Sequence, residues 1–463
     1  MAAPTLAGTR PAVTDGRVRN RRRADHAFDV TVAVAANAVL IAGLWLRHGG
    51  LHTLTTPGGP MTAIGQVTGL FGTFAVLIEL GLMARIPWIE RHLGFDRLAV
   101  WHRWTGFAVV NLLVIHAVTI TIGYAESNSQ SIPTQLGDFI RHYPDLLMAI
   151  VSLLLFVGVG VSSMRAARKR LVREHWYSVH LYVYLAVILG FAHQLSVGTD
   201  FINDPVARWW WSALLAITAA ALVWFRLLSP LLFNLRHQFR ITQVVTEAPG
   251  VVSLYVSGSS LGLIQPEAGQ FFMVRLLTKD GWYRSHPFSL SAPPNGEFLR
   301  FTIKALGDHT KRLQRVAPGT RVALEGPLGT FTAGRRTRSR VALIAGGIGI
   351  TPLRALLDDL CRSSDPRDVT LLYRVAKRKD ILFGGELRQY VDHGVDVRII
   401  VDDRIGTDRT DRLGIPALRE LLPDLSSRDV FLCGPPAFVD ALGRRVKRIG
   451  VPHSRIHFER FDY

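Results

Sequence analysis

Four histidines lie inside otherwise apolar sequence. His102 and His116 stand in a stretch that opens Trp101-His102-Arg103-Trp104-Thr105-Gly106 and runs to Thr121. His180 and His193 stand in another, from Trp176 to Gln194. Each stretch is about as long as a membrane-crossing helix. Ionisable side chains are costly at that depth and are retained mainly for function. Imidazole is a common axial ligand of haem iron. The fourteen-residue step from His102 to His116 rises about 21 Å on a helix and returns within about 40° of the same face. That spacing suits two haems stacked one above the other. The thirteen-residue step from His180 to His193 leaves its side chains roughly 140° apart. Tilt, or a local irregularity near Gly190, is needed to bring them round. A lone histidine here would more often be a core ring bonded to a carbonyl; two matched pairs favour iron.

The elements that must carry these residues follow from composition. The chain has 463 residues, enough for two or three domains, and 48% of them are hydrophobic. The apolar residues concentrate before residue 230. Two cysteines, Cys361 and Cys433, exclude a disulfide framework and a protein-held iron–sulfur cluster, which takes about four ligands. The net charge of +18 would suggest nucleic acid in a soluble protein. Here the basic residues flank apolar spans, so the expected partner is an anionic lipid leaflet and not nucleic acid.

Residues 1–26 are small, polar and basic, and read as a disordered cytoplasmic tail without a cleaved signal peptide. Six apolar spans follow at 28–46, 64–84, 99–122, 146–161, 176–192 and 209–228, within a membrane domain of 27–230. Arg85, Arg91 and Arg97 separate spans two and three. Arg165, Arg168, Lys169, Arg170 and Arg173 separate spans four and five. The other three loops are poor in Lys and Arg. The positive-inside rule then places both termini in the cytoplasm, and the chain in the cell membrane. On that topology His102 pairs with His180 near the inner face, and His116 with His193 near the outer face. Glu79 and Asp29 lie near inner span ends, where their side chains can snorkel to water.

After Pro230 the pattern changes. Short alternating runs such as Gln270–Arg275 and Leu299–Ile303, separated by Gly and Pro, predict a small antiparallel β-barrel over 231–335. From Arg340 the order is strand, glycine turn, helix. Val341–Ala345 leads into Gly346-Gly347-Ile348-Gly349-Ile350-Thr351-Pro352, with further strands at 369–373, 397–401 and 430–433. This predicts an α/β domain with a parallel sheet over 336–463. A glycine turn before a helix lets backbone N–H groups approach a pyrophosphate. Cys433-Gly434-Pro435 ends a later strand, at the edge where such sheets bind ligands.

Gly347-x-Gly349-x-x-Pro352, Cys433-Gly434-Pro435 and Glu459-x-Phe461 resemble the ferredoxin–NADP reductase family. His286-Pro287-Phe288-Ser289 resembles the flavin motif of that family's membrane branch, and Ile303-Lys304-x-x-Gly307-x-x-Thr310 its pyrophosphate segment. With the paired histidines upstream, residues from about 28 to 463 resemble the NADPH oxidase/ferric reductase superfamily. The resemblance implies FAD, two b-type haems ligated by His102, His116, His180 and His193, and NADPH as donor. Phe288 would pack on the flavin ring and Ser289 would bond near its N5. Arg284 and His286 would face phosphate, with Lys304 in the adjoining segment, and Gly307 and Thr310 would offer N–H groups. Phe461 would cover the other flavin face until nicotinamide displaces it, with Cys433 alongside. Gly346, Gly347, Gly349, Thr351, Pro352, Gly434 and Pro435 would shape the nucleotide cleft. Tyr373, Arg374 and Arg378 would take the ribose side, where basic residues fit a 2′-phosphate. The implied activity moves electrons from NADPH through FAD and the haems to an outside acceptor: dioxygen, a ferric chelate or a redox partner protein.

Overall fold

The computed structural model describes residues 16–143, 145–168, 173–198, 204–279, 281–402 and 412–461. It divides into two compact units, one of Ala24–Ser229 and the other built mainly from the residues after Ser229.

The first unit is helical. Its long helices are α1 (Gly16–Arg47), α2 (Gly59–Met83), α3 (Phe95–Ser127), α4 (Leu146–Ser163), α5 (Arg173–Val197) and α6 (Pro205–Leu222). A π-helical turn, Val223–Leu228, joins α6 to Ser229–His237. Among the described residues six helical segments are long and apolar enough to cross a membrane, and they coincide with the six expected spans. Large apolar side chains point outward, as Phe107, Leu154, Ile188 and Ile217 do. Such a surface is stable against lipid, not water. Helix α1 begins at Gly16, ahead of the apolar span Asp29–Arg47; residues 1–15 lie outside the described residues. Arginine and alanine are good helix formers, and an existing helix spares them the cost of nucleation.

Helices α2 and α3 approach closely along a glycine stripe. A Cβ at Gly65 would stand 2.5 Å from Ile120, at Gly69 2.6 Å from His116 Nδ1, and at Gly72 3.1 Å from Leu113. Small residues at this spacing let helix backbones meet in lipid. Helices α4 and α5 are tied by Ser152 Oγ, which donates to the Ala186 carbonyl at 2.7 Å. Helix α5 runs unbroken through Gly190, where a Cβ would stand 3.0 Å from Ser152 Oγ. The irregularity expected at Gly190 is therefore a close helix approach and not a break.

The second unit opens with six antiparallel strands, β1 (Arg240–Ala248), β2 (Val251–Ser257), β3 (Phe271–Leu276), β4 (His286–Ser289), β5 (Leu299–Lys304) and β6 (Val322–Leu328). They form two three-stranded sheets, ordered β1-β2-β5 and β4-β3-β6. Single bridges, Arg240 to Arg321 and Leu290 to Phe301, join the two sheets. Among the described residues the expected β domain is two antiparallel sheets joined by these bridges. Phe272, Phe301 and Leu254 fill the space between.

A parallel sheet follows, with β7 (Val341–Gly346), β8 (Val369–Val375), β9 (Asp396–Val401), β10 (Asp429–Gly434) and β11 (Ile456–Arg460) in the order β11-β10-β7-β8-β9. Strand β11 was not legible as a strand, because Ile456-His457-Phe458-Glu459-Arg460 is an edge strand with half-polar sequence. Helices α8 (Ile350–Ser363), α9 (Gly384–Asp392), α10 (Ile415–Leu421) and α11 (Pro436–Ile449) complete this domain; the shorter α7 (Asp308–Leu313) belongs to the preceding one. Strand order reverses between β7 and β10, which opens the crevice where open α/β sheets bind ligands.

Candidate functional site

In the helical unit, the rings of His102 on α3 and His180 on α5 lie 5.9 Å apart between centres, inclined at 73°. Two imidazoles sharing one metal through bonds of ~2 Å lie with ring centres roughly 6 Å apart. His102 Nδ1 lies 2.7 Å from Glu79 Oε1 on α2. A Cβ at Gly106, one turn along α3, would come within 2.7 Å of that oxygen, so glycine makes room for the carboxylate. The Glu79 side chain is therefore turned inward onto the histidine and does not snorkel. Trp176 stacks on His180 at 5.0 Å, and Arg168 covers the Trp176 ring at 4.5 Å. The buried Nδ1 of His180 has no hydrogen-bond partner among the described residues.

His116 repeats the arrangement further along α3. Its Nδ1 lies 2.7 Å from the Gly65 carbonyl on α2. A ring whose Nδ1–H is held by an acceptor presents Nε2 as the metal-binding nitrogen. His116 therefore has the tautomer that suits iron, His102 has the Glu79 carboxylate beside its Nδ1 without a formed hydrogen bond among the described residues, and His193 stands on α5 at the same end as His116. These residues fit haem.

In the flavin-type domain, β4 carries His286, Pro287, Phe288 and Ser289, with Phe288 opposite Phe272 in register. Phe288 is half-buried against the core and Ser289 is buried. Arg284 sits over Tyr283, and Lys304 is exposed at the end of β5. His286 stacks on His309, centres 3.9 Å apart and 15° from parallel. Burial, and then the positive charges of His286, Arg284 and Arg312, pull His309 down to about 4. Buried His309 Nε2 lacks a hydrogen-bond partner. A positive cluster with an unspent ring nitrogen suits a diphosphate. Gly307 differs from expectation: its N–H, with that of Leu306, donates to Thr310 Oγ1 at 2.9 Å. Thr310 therefore braces the loop, and the Gly307 N–H is already used.

Register brings the nucleotide-side residues to one sheet edge. Gly346 pairs with Arg374, and Cys433 with Ala345 and Glu459. Gly347 turns the chain with φ +55°. A Cβ at Gly349 would stand 2.3 Å from the Cys433 carbonyl, so only glycine lets α8 start against β10. Thr351 and Pro352 are buried, with Thr351 Oγ1 donating to the Ile348 carbonyl at 3.0 Å. Pro435 caps α11. Phe461 packs against the cluster containing Cys433, and its N–H donates to the Gly434 carbonyl at 3.3 Å. Burial, with Glu459 behind it, pushes the Cys433 thiol well up from its usual range. At neutral pH it is a thiol, not a nucleophilic thiolate.

Arg374 lies 6.0 Å from the Phe438 ring centre, and Arg378 is exposed on the turn beyond β8. Tyr373 departs from expectation. It is fully buried, donates through its hydroxyl to the Asp380 carbonyl and accepts from Leu382 N–H, both at 3.3 Å. It shapes the loop bearing Arg378 instead of facing the cleft.

Sequence reasoning missed Glu79 and Gly65 as partners of the histidines; the Gly65-x-x-x-Gly69 spacing was the available signal for the second. It also missed Arg300 on β5, which grips Glu386 on α9 at 2.7 and 3.2 Å and donates to the Ser291 carbonyl at 2.6 Å. Arg354 on α8 meets the same carboxylate at 2.6 Å. This cluster ties the flavin-type sheets to the parallel-sheet domain, two residues beyond Ser289.

Residues 68–191 match the ferric reductase like transmembrane component family, 236–332 an FAD-binding domain, and 343–443 an oxidoreductase NAD-binding domain. Three curated relatives align with the chain. A flavohemoprotein of Chromobacterium violaceum is 30% identical over 48% of this chain and 60% of its own length. The NADH oxidoreductase HCR of Escherichia coli is 30% identical over 42% and 59%. An NADPH oxidoreductase of Mycobacterium tuberculosis is 27% identical over 48% and 59%. The chain thus spans about 60% of the length of these relatives. The chain thus carries, in order, matches to a ferric reductase-like transmembrane component, an FAD-binding domain and an oxidoreductase NAD-binding domain.

Proposed function

We propose that this protein moves electrons from cytoplasmic NADPH across the cell membrane to a small acceptor on the outer face, dioxygen or a ferric chelate. The observation that carries the reading is the pair of α3 histidines, each with an oxygen of α2 2.7 Å from its Nδ1. His102 with His180 would hold the haem near the inner face, and His116 with His193 the haem near the outer face. The alternation of basic and non-basic loops supports cytoplasmic termini. Bound FAD supplies hydride acceptance, and the haems supply one-electron carriage.

The residues of the chain bind, orient and exclude water. Arg284 and His286 face the FAD diphosphate, and His309, uncharged at neutral pH, offers it a hydrogen-bonding ring nitrogen. Phe288 and Phe461 sandwich the flavin ring, and Ser289 offers a hydrogen bond at its reacting edge. Phe461 moves aside for nicotinamide, whose ring then rests beside Cys433. The protonated Cys433 thiol positions that ring and takes no covalent part. Arg374 and Arg378 bind the 2′-phosphate and favour NADPH over NADH.

The acceptor assay is turnover of NADPH by purified protein with oxygen or ferric citrate, read by superoxide dismutase sensitivity and by a ferrous chelator in parallel. Turnover of either acceptor alone supports the reading. A protein that reduces its own haems with NADPH yet turns over neither acceptor would instead be a membrane redox subunit delivering electrons to an extracytoplasmic partner.

A further inference from the structure

The two α3 histidines differ in what holds their Nδ1. His102 meets a carboxylate, Glu79 Oε1, at 2.7 Å. His116 meets a neutral backbone carbonyl, Gly65 O, also at 2.7 Å. The distance is the same and the charge is not. We propose that Glu79 makes the haem held by His102 and His180 the lower-potential member of the pair, so that an electron runs downhill toward the haem held by His116 and His193. The proposal rests on the haem reading above and adds to it a positioning residue and a direction.

Two effects act in the same sense. A ligating imidazole with a carboxylate at its Nδ1 becomes a stronger donor and favours the ferric state. The carboxylate charge, in a poorly screened interior, also opposes an added electron. A carbonyl dipole does the first weakly and the second hardly at all. The carboxylate is built into the fold, since Gly106 leaves the space that a Cβ would take from Glu79 Oε1.

Other charges near the pairs are less direct. Arg168 lies over Trp176, which stacks on His180, and is partly open to solvent. Asp145, before α4, acts on His193 through space. Glu79 alone among these places a carboxylate directly against a ligand ring.

The test is spectroelectrochemical titration of the haem bands of the full-length protein in detergent. Wild type should show two midpoints. His116→Ala, which keeps the haem of His102 and His180, should retain the lower one, and His102→Ala should retain the higher. Glu79→Gln should raise the lower midpoint and leave the higher in place. With the carboxylate charge removed from the ligand ring, the equilibrium constant between the haems should fall about tenfold, equivalent to about 59 mV for one electron. Glu79→Asp, which keeps the charge, should restore most of the separation. Unshifted midpoints in a Glu79→Gln protein that retains both haems would overturn the proposal. So would a His116→Ala protein that retains the higher midpoint, and this comparison decides the matter even if Glu79→Gln fails to load haem. A wild-type protein that binds no haem would overturn the underlying haem reading, a separate and recognisable failure.

Discussion

Glu386→Gln removes one charge from a cluster of three buried or half-buried side chains. Arg300 is 5% exposed, Arg354 12% and Glu386 30%. The carboxylate takes two bonds from Arg300 and one contact from Arg354, at 2.7, 3.2 and 2.6 Å. Glutamine keeps the shape but turns an amide N–H₂ toward a guanidinium and leaves the buried Arg300 charge unopposed. Breaking a fully buried pair costs about 3–5 kcal/mol. Glu386 is partly open to solvent, which screens the charge, so about 2–3 kcal/mol is expected here. With a urea slope of about 2–3 kcal/mol/M for a module of this size, the midpoint of flavin release should fall by roughly 1 M. Burial alone would push the Glu386 carboxyl up; its bonds and charges from Arg300 and Arg354 outweigh burial and hold it below its ordinary value of 4.5. A carboxyl depressed in the folded state adds stability that is present above pH 4.5 and is lost as pH falls through the depressed value. The gap between wild type and Glu386→Gln should therefore be full at pH 7 and should close in that acid range. Urea titration followed by flavin fluorescence at several pH values measures both. Equal midpoints at pH 7, or a gap that persists unchanged at acid pH, would refute the argument.

Gly69→Ala should displace His116, since the new Cβ would stand 2.6 Å from its Nδ1; pyridine haemochrome titration should then read about one haem per chain fewer, with flavin reduction intact. Replacing Arg374 and Arg378 by Ala should raise KM for NADPH about tenfold or more per residue, at about 1.5–3 kcal/mol for each charge-assisted bond, and leave NADH nearly unchanged in steady-state assays. Cys433→Ser should slow flavin reduction in stopped flow by about tenfold while FAD content stays normal; complete inactivity at normal FAD content would count against a positioning role. His309 is held down to about 4, so the unfolded chain binds the extra proton first, and stability should drop as pH falls from about 6.5 toward 4. His309→Leu should flatten that part of the profile in thermal unfolding.

Length and apolarity were enough to mark the membrane helices, because lipid demands continuous apolar helix whatever the neighbours are. The histidine pairs were legible for the same reason, since an ionisable residue stands out against such a background. The glycine turn, Cys433-Gly434-Pro435 and the strand–helix alternation likewise write local geometry into local sequence. Partners across space could not be read this way. Glu79 lies 23 positions before His102, and whether it snorkels to water or turns onto the ring depends on how α2 packs on α3. Gly65 contributes a backbone carbonyl, which has no residue type to betray it. Tyr373 looked like a cleft residue by position, and only the register of β8 and the fold of the following loop bury it. Arg300 and Glu386 are separated by 86 residues and belong to different sheets and layers, so their pairing exists only once the flavin-type domain and the nucleotide-type domain have met. Local pattern determines which elements form and which side chains could do chemistry. The choice of acceptor for each buried donor is made by packing, because a hydrogen bond is decided over about 3 Å of space and not by separation along the chain.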